Sequence, residues 1–199
     1  MKISILTFEK FNEIDSFIAF RMLKWLRKDD WEIKICCPDA EVTSMGGLTI
    51  RAQERLEEAN KADAVIIGSG SMTRDIINDQ SILNRIQFNP SRQIIGAQCS
   101  GTLILAKLGM LNGVPACTDS ITKPWVQEAG IEVLNQPLFA KGNVATAGGC
   151  LASSYLTAWI IAQLGDFDAA KKALHYFAPV GEKDEFLEQA IKNISPYLS

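Results

Sequence analysis

Histidine is the scarcest chemistry-bearing residue here, with His175 alone in 199 residues. The five cysteines (Cys36, Cys37, Cys99, Cys117 and Cys150) include no CxxC pair. An odd cysteine count beside one imidazole argues against a disulfide framework or a zinc site. No metal is expected, and a reducing cytoplasm is the simplest compartment. Clusters of basic residues are lacking too. The Lys and Arg residues are scattered and the net charge is −3, so nucleic-acid binding has no electrostatic footprint. Long apolar runs are also missing. Leu151 to Leu164 is broken by Ser153, Ser154, Thr157 and Gln163, too short and polar to span a bilayer. The apolar stretch before Glu9 is too short for a signal peptide. With nucleic acid and membrane set aside, a composition of 47% hydrophobic and 22% charged residues fits one globular domain, residues 1–199, handling a small molecule.

What is present is an alternation of short apolar strands and helices. Residues 2–8, 31–37, 63–71, 92–98 and 143–149 read as strands, several ending in glycine or serine. Shorter strands are expected at 46–50, 113–117 and 130–134. Ile14, Phe17, Ile18, Met22 and Leu26 recur at helical spacing. Further helices are expected over 75–86, 100–109, the segment after Pro124, 150–164 and the two closing amphipathic stretches; residues 51–61 read as a surface helix or loop. This pattern implies an α/β fold with a mostly parallel sheet covered by helices on both faces.

Sites in such a sheet gather at the carboxyl ends of the strands. Cys99 stands where IIGAQ turns into the helical sequence SGTLILAKLG. That junction pushes a side chain out above the sheet, and a helix N-terminus favours a thiolate near neutral pH, with the Ser100, Gly101 and Thr102 N–H groups aimed at the sulfur. Ordinary packing as a small hydrophobe is the competing reading. GSGS (68–71) offers an anion-binding nest from Ser69 and Gly70, but it lacks the third glycine of GxGxxG and the P-loop lysine, so a plain strand–helix turn competes. Glu13 and Asp15 follow the first strand; two apart, they face different ways, and one caps the helix or meets solvent. Cys150, after Gly148 and Gly149, lines the same pocket or packs as a small residue. Cys36, Cys37 and Cys117 read as structural. His175 lies late in a helix with no acid two residues on to orient it, so a Cys-His triad is disfavoured.

FNEIDSF, DAVIIGSGSMTRD, GAQCSGTLILAKLGMLNG and NVATAGGCLASSYLTAWIIAQLGD together resemble the ThiJ/PfpI superfamily over nearly the whole chain. The cysteine segment is the most specific of the four. The sequence looks most like the isonitrile hydratase-like members and the amidotransferase-like domains of AraC-type regulators. The resemblance implies a flavodoxin-like sandwich, places the family's acidic partner of the cysteine on Asp15, and puts Ser100 where hydratase-like members carry threonine. It departs at Gly68-Ser69, where relatives carry a glycine pair, and in the pocket wall at Cys117-Thr118-Asp119-Ser120, where relatives often carry a Thr-Thr-His-Trp run. It implies a homodimer, since relatives pair, and no cofactor.

The chemistry implied is attack of Cys99 on an isonitrile carbon with Asp15 moving the proton and Ser100 contributing. Ser69, Gly70, Gly149 and Cys150 would bind the substrate or its oxyanion. Two alternatives stay open: glyoxalase-like action on 2-oxoaldehydes, against which the missing histidine after Cys99 counts, and a non-enzymatic role in metabolite binding or oxidation sensing.

Overall fold

A computed structural model describes residues 1–198. Nine strands are present: β1 (Lys2–Leu6), β2 (Glu32–Cys37), β3 (Glu41–Thr43), β4 (Thr49–Arg51), β5 (Glu54–Arg55), β6 (Ala64–Ile67), β7 (Ile94–Gln98), β8 (Leu138–Lys141) and β9 (Val144–Ala147). The helices are α1 (Glu13–Trp25), α2 (Thr73–Ile76), α3 (Gln80–Leu83), α4 (Gly101–Lys107), α5 (Lys123–Glu128), α6 (Ser153–Gln163), α7 (Phe167–Phe177) and α8 (Lys183–Ile194). Seven strands form one sheet in the order β5-β2-β1-β6-β7-β9-β8. Every pairing in it is parallel except β8 with β9, and β3 pairs with β4 as a separate hairpin.

The central strands are buried on both faces, so they read as continuous apolar runs. Along β6 the period of two sends Ala64 and Ile66 into one core and Val65 and Ile67 into the other. The first core is closed by α1, α6, α7 and α8, the second by α4 and its neighbours. Gly96 lets α6 approach the sheet, since a Cβ there would stand 2.9 Å from Leu156 and 3.0 Å from Ile160. The α/β architecture with a mostly parallel, helix-covered sheet is therefore as the alternation implies.

Several elements differ from expectation, each for a local reason. The helix expected over 75–86 is two short ones, because the Asp79 side chain accepts from Ser81 N and starts a new helix there. Residues 113–117 and 130–134 form no strands; they meet through one bridge between Ala116 and Val133. The segment 51–61 divides into the end of β4, edge strand β5 and a 3-10 helix over Leu56–Lys61. The helix expected from residue 150 opens as a 3-10 turn over Cys150–Ala152. The buried face of α1 carries Asp15, Ser16, Ala19, Met22 and Leu23, leaving Ile14 exposed. No helix among the described residues is long and apolar enough to cross a membrane.

Candidate active site

Chain order switches direction between β1 and β6, the point where an open α/β sheet leaves a crevice at its carboxyl edge. Three segments enter that crevice: the one after β1 carries Asp15, the one after β6 carries Ser69, and the one after β7 carries Cys99. Cys99 adopts φ +47°, a left-handed conformation for a side-chain-bearing residue, costing on the order of 1–2 kcal/mol. Its neighbours hold it there. Cys99 N donates to Ala147 O at 2.8 Å, Thr118 Oγ1 donates to its carbonyl at 2.8 Å, and Thr102 N donates to the same carbonyl at 3.1 Å. Thr102 N–H thus serves the elbow's backbone rather than the sulfur, contrary to the expectation. Gly101 is required at the turn, since a Cβ would lie 2.7 Å from the carbonyl oxygens of both Ile67 and Gly68.

Asp15 is fully buried. The Asn12 side chain caps α1 by accepting from Ile14 N at 3.1 Å, which frees the acidic residues of the first turn from that task. Glu13 turns to the β3–β4 hairpin, accepting from Ser44 Oγ and from Gly46 N. Asp15 turns to the crevice and accepts from Ser69 Oγ and from Ser153 Oγ at 3.5 Å, with the sulfurs of Cys99 and Cys150 both within 4.8 Å of its carboxylate. Burial pushes its carboxyl above the ordinary range, and those donors pull it partly back. Burial, then the Asp15 charge, pushes the Cys99 thiol up strongly. Burial and the neighbouring carboxylate thus work against the resting thiolate that a helix terminus alone would favour, since two buried groups this close repel as anions.

Ser100 also departs from its expected role. Its hydroxyl accepts from Gly70 N at 3.0 Å and bonds Thr73 Oγ1 at 2.8 Å, so it braces the loop after β6 instead of facing the sulfur. The Gly70 N–H is thereby occupied and is not an oxyanion donor in this arrangement. Among the described residues, the N–H groups of Ser69, Ser100 and Gly101 have no acceptor. Gly149 lies behind the cleft, at φ +88°, with its carbonyl accepting from Gln98 Nε2 at 2.8 Å; the same amide donates to Cys99 Sγ at 3.4 Å. Cys150 is half-buried and lines the cleft, with Asn12 Nδ2 donating to its sulfur at 3.3 Å. The two sulfurs and an Asp15 oxygen lie within 4.8 Å of one another. Asn12, Ser153 and Gln98 are site residues the sequence reading missed. Asn12 sits inside the FNEIDSF segment, the one signal that pointed near it.

The cleft above Cys99 measures about 330 Å³. Met45, Ile121 and Trp125 supply its apolar wall, and Asp119 and Ser120 its polar one. Asp119 Oδ1 accepts from Ile121 N and Thr122 N, both at 2.9 Å, and so shapes the turn into α5. His175 is elsewhere, on α7 and half exposed, with Nε2 3.9 Å from Asp184.

A model of the DJ-1/PfpI family matches residues 1–163. Isonitrile hydratase of Pseudomonas putida is 22% identical over 173 residues, covering 86% of this chain and 75% of that one. Among solved structures, Schizosaccharomyces pombe DJ-1 superposes with a TM-score of 0.77 at 17% identity, covering 90% of this chain and all of that one. An AraC family transcriptional regulator from Pseudomonas putida gives 0.73 at 15% identity, covering 89% and 98%. At those identities the structural likeness speaks for the fold.

Proposed function

The chain belongs to the DJ-1/PfpI family, and on that premise we propose that it is a cysteine-dependent hydratase acting on a small isonitrile. The observation that carries this reading is the Cys99–Asp15 pair, a strained elbow thiol with a buried carboxylate within 4.8 Å of its sulfur, at the floor of a small, half-apolar cleft. Asp15 takes the thiol proton as the sulfur attacks the terminal carbon of R–NC, and passes that proton to the same carbon. The product is a thioimidate, R–N=CH–S–Cys99. Water adds to its carbon, the carbon–sulfur bond breaks, and Cys99 recovers a proton, leaving R–NH–CHO. One water is consumed and nothing is oxidised or reduced. The acceptor-free N–H groups of Ser69, Ser100 and Gly101 are placed to steady the tetrahedral intermediate. Met45, Ile121 and Trp125 suit an apolar R group. The match to isonitrile hydratase supports the choice of substrate class.

The test is a panel of alkyl and aryl isonitriles beside 2-oxoaldehydes, with products identified by NMR. N-substituted formamides from isonitriles are expected. Consumption of 2-oxoaldehydes with isonitriles untouched would overturn the reading in favour of glyoxalase-like action.

A further inference from the structure

Resting on the reading of Cys99 as the reactive thiol, we propose that Cys150 is its resolving partner: after a hydroperoxide oxidises Cys99, the two close a reversible disulfide across the cleft floor. Three observations converge on this pair. The sulfurs lie within 4.8 Å of each other, and an Asp15 carboxylate oxygen lies within the same distance of both. No such relation ties Cys99 to Cys36, Cys37 or Cys117, which are buried in the body of the fold. Cys150 is also the least confined of the five, being half-buried where the others are buried.

Closing the bond means bringing the sulfurs to about 2.05 Å, and the local backbone leaves room for it. Cys150 opens a three-residue 3-10 turn rather than a regular helix. Before it, Gly149 has no atom within 4 Å of where a Cβ would stand, so open space adjoins the turn that carries the sulfur. Asn12 Nδ2 donates to the Cys150 sulfur at 3.3 Å and favours its anion as the proton leaves.

The steps balance. Asp15 accepts the Cys99 proton, the sulfur attacks one peroxide oxygen, and the O–O bond breaks; the departing alkoxide takes the proton from Asp15 and leaves as alcohol. Cys99 is then a sulfenic acid. Cys150 next gives its proton to Asp15 and attacks the Cys99 sulfur. The S–O bond breaks, and the hydroxide collects that proton as water. Two thiols and one hydroperoxide become one disulfide, one alcohol and one water. A thiol reductant restores the pair. The bridge takes the nucleophile out of the cleft and spares it from irreversible sulfinic and sulfonic acids.

Treatment with equimolar hydrogen peroxide, followed by denaturing alkylation and intact-mass analysis, tests this directly. The wild type should lose two hydrogens and fall from five alkylatable thiols to three, with peptide mapping linking Cys99 to Cys150 and dithiothreitol reversing it. Cys150→Ser should instead carry oxygen adducts on Cys99 that progress to the sulfinic acid and resist dithiothreitol. Oxygen adducts on Cys99 of the wild type, with Cys150 still alkylatable, would overturn the proposal. Should Cys150→Ser fail to fold, dimedone added to the wild type at increasing delays after peroxide decides instead: a Cys99 sulfenic acid that can be trapped only at the shortest delays supports the pair, and one still trappable at long delays overturns it. The isonitrile assay, run separately on reduced protein, fails or succeeds independently of either result.

Discussion

Cys99 and Cys117 sit close together at the same edge of the sheet and are treated alike by solvent, with 3% and 0% of their surface exposed. Both are laced in by threonines: Thr118 Oγ1 bonds the Cys99 carbonyl, while Thr102 Oγ1 bonds the Cys117 carbonyl and Cys117 N bonds Thr146 Oγ1. Burial pushes both thiols up. For Cys117 burial is the whole cause, and the thiol titrates near about 12. Cys99 differs in three ways: a carboxylate that accepts its proton, a left-handed backbone, and an opening into a cleft. Burial therefore does not set the two cysteines apart. A carboxylate within reach and an open side do.

The strongest way to break this contrast is to truncate each sulfur. Cys99→Ala should lower isonitrile turnover by about ten-thousand-fold or more while circular dichroism is unchanged; Cys117→Ala should leave turnover within about two-fold of wild type by the same reasoning. Equal losses would dissolve the distinction. Next comes the base. Asp15→Asn should cost turnover roughly a hundred- to a thousand-fold, yet removing its negative charge should move alkylation of Cys99 to lower pH. A variant that alkylates sooner and turns over at the wild-type rate would show that Asp15 only perturbs the thiol.

The elbow's backbone gives a third test. Gly101→Ala drives a Cβ to 2.7 Å from two carbonyl oxygens and should cost about 2–3 kcal/mol in denaturant unfolding. Gly113→Ala also enters positive φ, at +67°, but meets nothing within 4 Å and should cost only about 1–2 kcal/mol. The smallest effect concerns alkaline stability. The Cys117 thiol titrates in the unfolded chain near 9.0 and in the native state at about 12, so its stabilising contribution is intact below 9 and fades as pH rises towards 12. At pH 10 the loss is about 1 kcal/mol. Cys117→Ala should flatten that part of the slope, whatever offset its lost packing adds; an unchanged slope would sink the assignment.

Much of this contrast was readable before any coordinates. A buried strand feeding a helix through one cysteine signals an elbow, and a carboxylate just after β1 in a parallel sheet falls near it. What the sequence hid depends on contacts between distant segments. Ser100 is hydroxylic and adjacent to Cys99, but its orientation is set by Gly70 and Thr73, some thirty residues earlier. Helix-terminus N–H groups visible in the sequence favour a thiolate, whereas the burial and the carboxylate repulsion that oppose it come from segments distant in the chain. Cys150 was open between filler and lining because its exposure depends on a glycine turn and a 3-10 start. β8 escaped notice since an edge strand of four residues, LFAK, pairs with one neighbour only.

Gly148 carries a consequence of its own. A single carbon added there would lie 2.2 Å from the carbonyl oxygen of Thr118, so the loop bearing Cys150 and the loop leading to the cleft wall are locked against each other. Mutational change in substrate preference consequently has few open routes. Gly148 cannot gain a side chain without parting the two loops, whereas Ile121, whose side chain stands largely in solvent, can be exchanged without disturbing that contact. Side-chain changes at the cleft are thus accommodated at its rim, with the contact between the two loops left as it is.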